Sequence, residues 1–504
     1  MQSNKGKNET SLESGTNIKI NTITSLLLQI TAIITGLVLP RLLLSTFGSD
    51  VNGLNSSISQ FLNFFSVLEG GISGVVLAAL YGPIASKDQY KISEIICAAN
   101  KFLKRLGIGF LLYTTILAVI YPFTNRIFSW PFSASLVIIL SIGTFIQYYY
   151  SIVPQLVVRA DNKVYVSNIV GIAFNILNIL LTVVSIKIYP EIHVVKFTSA
   201  LIYLIQPIIL NTYVKKHFDI ANDCEADEGI LKNRWSGFGI NIANIITSNT
   251  DIIILTLLST LKMVSIYSIY YNIANSLKNL LISLGYGYQS ILGQKIAQHD
   301  KVKINSYFDQ YEFVTYNFSG IAFSCCICLI VPFVMIYTDG VKDANYRQVL
   351  FAVLICLALY ILCVREPYIQ ATYAAGLFRE TQKYAYVEAI INIVASILFV
   401  KSLGLIGVAI GTVVSAFYRY VATVIYLRKH VLYRAISATV IKQLVYLIPG
   451  FIVCVLGNRI ALMDLSIGCW FMWAIVLFVI STLIHLILDL IFFKPQLNII
   501  LRRR

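Results

Sequence analysis

The sequence places eight ionisable side chains inside long apolar segments, where charge is rare. They are four acids and four bases: Glu69, Asp251, Glu366, Glu388, Arg41, Lys278, Arg365 and Arg419. A charged side chain at the centre of a bilayer costs at least about 2.5–3.5 kcal/mol on insertion scales. Each of these residues is therefore expected to pair with another group or to face water, where bases can bind an anion and acids can carry a proton.

The isolated bases are candidates for binding an anionic substrate. Arg41 follows Pro40 near the outer end of the first apolar segment, where it would either meet an anionic head group or snorkel to the interface. Lys278 lies midway along its segment, so snorkelling is harder and a position in a cavity is favoured. Arg419 lies near the end of its segment, where an interfacial position is favoured over substrate binding.

The motif Arg365-Glu366-Pro367 interrupts the apolar run Leu350–Val364. Adjacent side chains on a helix point about 100° apart, so this Arg and Glu do not neutralise each other on one face. Pro367 frees a backbone carbonyl and permits a kink. The motif therefore predicts a substrate-binding or gating position.

The acids Glu69, Asp251 and Glu366 are candidates for coupling transport to an ion. Glu69 precedes Gly70-Gly71, and Asp251 ends the polar stretch Ser248–Asp251. A buried carboxylate can load and release a proton, but each acid could instead be the structural partner of a base on a neighbouring helix. For Glu388 the sequence favours a contact between helices.

Tyrosine is abundant, with 31 residues that cluster within the apolar segments. Tyr148, Tyr270 and Tyr271 are candidates for stacking on a sugar, because a tyrosine ring contacts sugar C–H groups while its hydroxyl forms hydrogen bonds. The alternative is an interfacial aromatic belt.

The sequence predicts no enzyme and no cofactor. None of the five His is spaced with Glu or a second His as in a metal motif, and no Walker-type phosphate loop occurs. Cys325-Cys326-x-Cys328 lies in an apolar run and is interpreted as helix packing. Nine cysteines, an odd number, argue against a disulfide framework. The tail Arg502–Arg504 is interpreted as a lipid-surface anchor or topology signal, and no nucleic-acid partner is predicted.

The composition identifies the elements that must position these residues. Of 504 residues, 57% are hydrophobic and only 12% are charged, and the mean hydropathy is +0.76. So little charge cannot cover the surface of a soluble protein, and so much apolar content excludes disorder. The chain is therefore predicted to be an all-α polytopic membrane protein.

About fourteen segments are long and apolar enough to span a bilayer. We place them at 20–46, 51–80, 104–128, 132–156, 164–188, 192–214, 236–259, 264–293, 308–337, 347–374, 384–401, 403–427, 436–457 and 465–493.

The basic residues indicate the orientation of these segments. With the N-terminus inside, 26 of the 39 Lys and Arg fall in cytoplasmic segments and 8 in external ones. This asymmetry predicts that both termini are cytoplasmic. It also explains most of the formal net charge of +15 as a topology signal.

A weak repeat indicates two related halves. Residues 62–70 resemble 278–287, and Asn175-Ile-Leu resembles Asn392-Ile-Val, both with an offset of about 216 residues. Six helices per half would give this spacing, and transporters are commonly built from such duplications. We predict a six-helix lobe at 1–216, a cytoplasmic linker at 217–234, a second six-helix lobe at 235–430, and two further helices with a basic tail at 431–504.

Three blocks resemble a known family. They are residues 21–53 with Leu39-Pro40-Arg41 and Phe47-Gly48, the stretch Asn249-Thr-Asp251-Ile-Ile-Ile followed by Tyr267-Ser-Ile-Tyr270, and Gly404-x-x-Gly407-Val-Ala-Ile-Gly411. Together with the repeat, they resemble polysaccharide flippases of the Wzx/PST type. Those belong to the multidrug/oligosaccharidyl-lipid/polysaccharide (MOP) exporter superfamily.

The resemblance implies two six-helix lobes in a V around a central cavity, with a C-terminal helix pair. It implies alternating-access translocation of undecaprenyl-diphosphate-linked oligosaccharides across a bacterial cytoplasmic membrane, driven by an ion or proton gradient. Membrane lipids, a polymerase and a chain-length regulator would be partners. The cations for the diphosphate would be Arg41 and Lys278, then Arg365, and Asp251 matches a position where the family often has a carboxylate.

Three alternatives stay open. A multidrug or organic-cation antiporter of the same superfamily would need an acidic, apolar site, whereas here four deep bases accompany four deep acids. A lipid II flippase fits the sequence as well. A membrane glycan polymerase would be expected to have a large external loop, and the longest external loop predicted here has only about ten residues.

Overall fold

The computed structural model is helical throughout the part of the chain that it describes. It describes residues 2–69, 71–220, 238–283, 301–432, 434–457 and 466–501, with isolated positions at 288, 292–293, 295–296, 459–460 and 463. These residues contain helices and connecting turns but no strand. The predicted all-α class is confirmed.

The chain divides into two compact units. The first comprises Met1–Phe47 and Ser57–Ile245, and the second comprises Gly48–Ser56 and Ile246–Arg504. The predicted domain boundaries stay predictions, and most of the predicted linker lies outside the described residues.

The helices are numbered in chain order. Those up to the end of the first unit are α1 Gln2–Phe64, α2 Ile72–Ser86, α3 Gln89–Ile120, α4 Trp130–Ile146, α5 Ile152–Ala160, α6 Val164–Ile188, α7 Ile192–Ile202, α8 Ile205–His217 and α9 Phe238–Leu258. They are followed by α10 Leu261–Ser283, α11 Lys301–Tyr337, α12 Val349–Ala374, α13 Phe378–Leu403, α14 Leu405–Leu427, α15 Ile436–Gly457, α16 Ile467–Phe492 and α17 Lys494–Leu501.

The helices account for the predicted membrane spans. Among the described residues, 12 helical segments are long and apolar enough to cross a membrane. The predicted spans 20–46 and 51–80 both overlap the single segment Lys19–Glu69, and α10, which covers most of the predicted span 264–293, is not among the 12. The number fourteen stays a prediction. The chain is therefore a multi-pass membrane protein.

Gly48 divides α1 between the two units. Its backbone has φ 81° and ψ 179°, a conformation that glycine adopts without a Cβ penalty. The backbone N–H of the next residue, Ser49, donates to Asp343 Oδ2 at 2.7 Å, and the Ser49 hydroxyl donates to Asp343 Oδ1 at 2.5 Å. Asn52 then donates to Ser265 at 2.8 Å. These contacts hold Gly48–Ser56 within the second unit.

Close packing of α13 on α14 positions the polar residues of the second unit. A Cβ on Gly411 would lie only 3.0 Å from the backbone nitrogen of Ser396, so glycine permits the two helices to approach. This approach brings Asn392 of α13 to within hydrogen-bond distance of Thr412 of α14.

The fifth and eleventh predicted spans make related contacts in the two units. In the first unit, Asn175 of α6 donates to Thr31 of α1 at 3.2 Å. In the second unit, Asn392 of α13 donates to Asp251 of α9 at 3.2 Å. Asn175 and Asn392, the pair that indicates a duplication, therefore each join the fifth helix of a predicted half to the first helix of the same half.

The cysteines mostly pack among apolar groups. Cys325 and Cys328 of α11 lie in a core formed with Val453 and Leu477, as the apolar run predicted. No metal-binding group of His, Cys, Asp or Glu occurs among the described residues. Cys97 is disulfide-bonded, whereas the seven other cysteines in the described part of the chain are free.

The Ser49–Asp343 contact predicts a pH-dependent contribution to stability. Burial raises the pKa of the Asp343 carboxyl, but the hydrogen bonds from Ser49 outweigh that effect and hold it below its usual value. A carboxyl whose pKa is lower in the folded state than in the unfolded state stabilises the fold at pH values above its unfolded-state pKa, which is about 3.9 for Asp. This stabilisation is lost as the pH falls through the folded-state pKa. Asp343→Asn should lower the free energy of unfolding by about 1–2 kcal/mol at pH 7, after allowance for its exposure.

Thermal unfolding of the full chain in detergent measures this effect. The difference between Asp343→Asn and the unmodified protein should be present at pH 7 and shrink towards pH 3. Glu191→Gln is a control, since that side chain is 49% exposed. Equal melting temperatures at pH 7 would show that the contact does not stabilise the fold.

Candidate functional site

The structure gathers most of the predicted ionisable residues within the second unit. Arg365, Glu388 and Arg419 are in direct contact and are called the ionic cluster here, with Lys278 and Glu366 beside it. Asp251 forms a separate polar site in the same unit. Arg41, Glu69 and Tyr148 lie in the first unit.

Glu388 joins three helices through two arginines. Its carboxylate accepts from Arg365 of α12 at 2.5 Å and from Arg419 of α14 at 2.6 Å, while Glu388 itself is on α13. The side chain of Glu388 is 1% exposed, that of Arg365 is 12% exposed and that of Arg419 is 5% exposed. Arg419 is therefore buried between helices, and the position at the membrane interface that the sequence favours stays a prediction. Glu388 makes the inter-helix contact that the sequence favoured.

The surroundings of the ionic cluster carry an excess of positive charge. Lys278 lies within electrostatic range of Arg365 and Glu366, and no hydrogen bond or ion pair joins it to another described residue. Glu366 accepts a hydrogen bond from Gln370 on its own helix. Three bases against two acids leave one formal positive charge. Arg365 Nε is also buried without a hydrogen-bond acceptor among the described residues. This combination can accommodate an anion.

A second ion-pair network, which sequence reasoning missed, lies one helical turn from the ionic cluster. Glu312 of α11 is fully buried and accepts from Arg434 at 2.8 Å, from Lys442 at 2.9 Å and from the Tyr368 hydroxyl. Arg434 and Lys442 also contact Asp309, at 2.9 and 2.7 Å. Two bases balance two acids, so this network is neutral and suits a structural role.

The sequence contains a signal for this network. Asp309 and Glu312 are three residues apart and share a helix face. Lys442 lies near the end of an apolar segment, where a lysine can snorkel to the interface, but it pairs with both acids. Asp489 also lies near the end of an apolar segment, and it is 4% exposed and accepts from Tyr446 at 2.8 Å.

Asp251 is buried among neutral hydrogen-bond donors. Its Oδ2 accepts from Tyr267 and from Thr412, both at 2.7 Å, and its Oδ1 accepts from Asn392 at 3.2 Å. No base pairs with it among the described residues. The Asn392 Oδ1 and Ser396 Oγ oxygens are buried close by without hydrogen-bond partners in the described part of the chain. A carboxylate with spare oxygen ligands and no paired base can take up a proton or a small hard cation.

The ionic cluster, the Asp251 site and the neutral network share helices. Thr412 lies two turns from Arg419 on α14, and Asn392 lies one turn from Glu388 on α13. Tyr368 lies one turn from Arg365 on α12. The packing of these helices therefore positions all three groups.

The candidate residues of the first unit are more dispersed. Glu69 ends a 3₁₀ segment, Phe65–Glu69, and accepts from Ser73 at 2.7 Å. Tyr148 lies in a π-helical turn, Gln147–Ser151, and is only 4% exposed. Its ring lies 5.8 Å from those of Phe65 and Phe110. Arg41 is half-buried on α1.

The two other candidate tyrosines differ in their surroundings. Tyr270 is fully buried, and its hydroxyl donates to the Tyr346 carbonyl at 2.6 Å. Tyr271 is partly exposed and stacks on Tyr267 with 5.6 Å between ring centroids. Of the two, Tyr271 retains more ring surface for a ligand, and sugar stacking stays a prediction for both.

The backbone resembles solved membrane transporters over most of its length. A lipid II flippase, MurJ, in an inward closed conformation superposes with a TM-score of 0.69 over 95% of this chain and 99% of that chain, at 16% identity. The multidrug transporter DinF-BH in complex with R6G gives 0.63 over 83% and 97%, at 11% identity. An inward-facing MATE-family multidrug transporter of the MOP superfamily gives 0.59 over 83% and 99%, at 14% identity.

The chain has the fold of the MOP-superfamily transporters. Among the sequence comparisons, no protein-family profile and no curated protein matches. The MOP fold agrees with the coarser part of the predicted resemblance, and at these identities it carries no information on substrate.

Removal of the shared carboxylate should destabilise the second unit. Glu388→Gln leaves two buried arginines without a counter-charge, which costs about 3–5 kcal/mol. The apparent melting temperature of the full chain in detergent should fall well below that of Glu380→Gln, an exposed change on the same helix.

A double variant separates this coupling from general damage. Glu388→Gln with Arg419→Met removes one base with the acid, so it should be more stable than the two single changes predict together. Strict additivity, or a melting temperature for Glu388→Gln equal to the control, would contradict a coupled ionic cluster.

Proposed function

We propose that this protein is a flippase that moves lipid-linked oligosaccharides with a diphosphate group across a bacterial cytoplasmic membrane. The observation that carries the proposal is the net positive surroundings of the ionic cluster, where Lys278 has no paired acid among the described residues. A diphosphate supplies the negative charge that this site lacks. Alternating access of the MOP fold would carry the bound head group between leaflets.

The charge of the site distinguishes between MOP-type substrates. An organic-cation transporter needs a site in which acids exceed bases, whereas bases exceed acids around Lys278 and Arg365. The charge of the site therefore supports a lipid-linked anion. Lipid II itself is the second candidate, since it presents the same diphosphate chemistry.

Within this proposal the residues have separate tasks. Lys278 and Arg365 bind the diphosphate, and Arg41 is a separate candidate cation in the first unit. Arg419 acts as a positioning residue, because its charge is already paired with Glu388. Asp251 couples transport to a proton or sodium gradient, and Glu69 and Glu366 are further candidate acids. Tyr271 is the candidate for sugar contact. The product would pass to a polymerase and a chain-length regulator, and both termini would be cytoplasmic.

The binding role of Lys278 is tested by Lys278→Gln. Loss of one charge-assisted contact to a diphosphate should reduce transport about 10- to 100-fold. The measurement is flipping of a diphosphate-linked oligosaccharide into the outer leaflet of proteoliposomes that contain equal amounts of folded protein. Lys262→Gln is the matched control on the same helix, because Lys262 is 43% exposed and lies 3.8 Å from Asp50. Unchanged flipping by Lys278→Gln would exclude the role.

The coupling role of Asp251 is tested by Asp251→Asn, which keeps the side-chain shape but cannot ionise. Flipping should become insensitive to an imposed pH or sodium gradient, because Asp251 is the only acid of that site among the described residues. Asp489→Asn is the matched control, since Asp489 is also a buried acid with a neutral donor, Tyr446. If Asp251→Asn responds to both gradients as the unmodified protein does, Asp251 is not the coupling group.

A further inference from the structure

Two cysteines of the second unit bring their thiols together where α11 packs on α12. The sulfur atoms of Cys326 on α11 and Cys356 on α12 lie 3.7 Å apart, and either thiol can donate to the other. Both thiols are free in this structure. Because the two sulfurs of a disulfide are about 2.0 Å apart, they need to approach by only about 1.7 Å to bond. The pair is therefore positioned to close to a disulfide between the two helices.

The two thiols differ in access. Cys326 is partly exposed, whereas Cys356 is 0% exposed. An oxidant therefore reaches Cys326 first, and Cys356 lies beside it as the thiol that resolves the oxidised product. An accessible cysteine next to a resolving cysteine is the usual arrangement of a redox-responsive pair. Both residues lie in apolar stretches of their helices, where a charged oxidant would have to lose its hydration, so an apolar oxidant is favoured.

The thiol pair lies on one side of the Arg365-Glu366-Pro367 motif, and a second contact between α11 and α12 lies on the other side. At the second contact, the Tyr368 hydroxyl donates to the Glu312 carboxylate. Cys356 lies about three turns before Pro367 on α12. The stretch of α12 that carries Arg365 is thus held against α11 near both of its ends.

A covalent bond at Cys356 would change the freedom of this stretch. Pro367 interrupts the backbone hydrogen bonds of α12, and proline is a common position for a helix to bend. A thiol contact allows the two helices to slide and separate as α12 bends, whereas a disulfide does not. Oxidation would therefore fix the part of α12 that positions Arg365.

We propose that Cys326 and Cys356 form an oxidation site for apolar hydroperoxides, and that the resulting disulfide between α11 and α12 arrests transport. The oxidation itself is independent of the transported substrate. The arrest of transport rests on the proposed flippase function. The site is separate from Asp251, Lys278 and the ionic cluster.

The oxidation proceeds in two balanced steps. The Cys326 sulfur attacks the terminal oxygen of the hydroperoxide and the O–O bond breaks, so that Cys326 becomes a sulfenic acid and the thiol proton leaves with the alcohol. The Cys356 sulfur then attacks the Cys326 sulfur, and the S–O bond breaks to release water with the Cys356 proton. The two thiols together lose two electrons to the peroxide. A dithiol reductant reverses the reaction by exchange.

The disulfide is detected in the full chain with a protease site inserted after Gly340, in the exposed turn between α11 and α12. Every variant carries Cys97→Ser, so that the existing disulfide of Cys97 does not contribute. After treatment with cumene hydroperoxide and cleavage, the two fragments should run as one band on a non-reducing gel and separate on reduction. Peptide mass spectrometry should identify Cys326 and Cys356 as the linked residues.

Serine variants assign the link to this pair. Cys326→Ser and Cys356→Ser should each abolish the link. Cys328→Ser and Cys454→Ser are the matched controls and should retain it, since these two cysteines pack against each other in the same pair of fragments. Absence of a link in the parent protein, or a link that needs Cys328 or Cys454 instead, would overturn the proposal. Equally fast linkage by oxidised glutathione, a charged oxidant, would overturn the choice of an apolar hydroperoxide.

The effect on transport is measured with the same protein in proteoliposomes. Flipping of a diphosphate-linked oligosaccharide should fall in proportion to the cross-linked fraction and return after reduction, whereas Cys326→Ser should be insensitive to the oxidant. Flipping by cross-linked protein at the rate of reduced protein would overturn the arrest. If the reduced protein does not flip this substrate at all, the proposed function fails, and the gel and mass spectrometry still decide whether the thiol pair is an oxidation site.

Discussion

The buried carboxylate of Glu388 sets the arrangement of the second unit. Two arginines from different helices share it, and neither could stay buried without it, because an unpaired charge in this environment costs several kcal/mol. Arg365, Glu388 and Arg419 therefore fix α12, α13 and α14 relative to one another. The Asp251 site and the Glu312 network lie one or two turns away on the same helices, so their geometry depends on this contact.

After Glu388 has paired with Arg365 and Arg419, the remaining charges differ between the polar sites of the second unit. The Glu312 network is balanced and Asp251 has neutral donors, whereas Lys278 lies near Arg365 and Glu366 without a partner of its own among the described residues. In the proposed flippase, the residual positive site would bind the anion and the buried acid site would take up an ion.

Much of this structure follows from the sequence, and the failures have physical causes. Hydropathy predicts the spans because each helix must satisfy its backbone in lipid, and the break between the spans 20–46 and 51–80 falls at Gly48. It does not show that Gly48–Ser56 belongs to the second unit. Lys278 and Asp251 were found because they stand out in apolar runs. The sequence does not single out Glu312, because the start of α11 is polar. Its charged residues would look the same on an exposed helical turn as in a buried ion pair. Pairing across helices, as between Glu388 and Arg419, depends on packing that one sequence does not show.

The proposed translocation of a diphosphate-linked oligosaccharide is tested most directly by the leaflet distribution of lipid-linked oligosaccharides in cells depleted of the protein. We expect one complete oligosaccharide repeat unit on its lipid carrier to accumulate in the cytoplasmic leaflet while lipid II is distributed normally. Accumulation of lipid II instead, or unchanged lipid-linked intermediates together with increased sensitivity to organic cations, would contradict it.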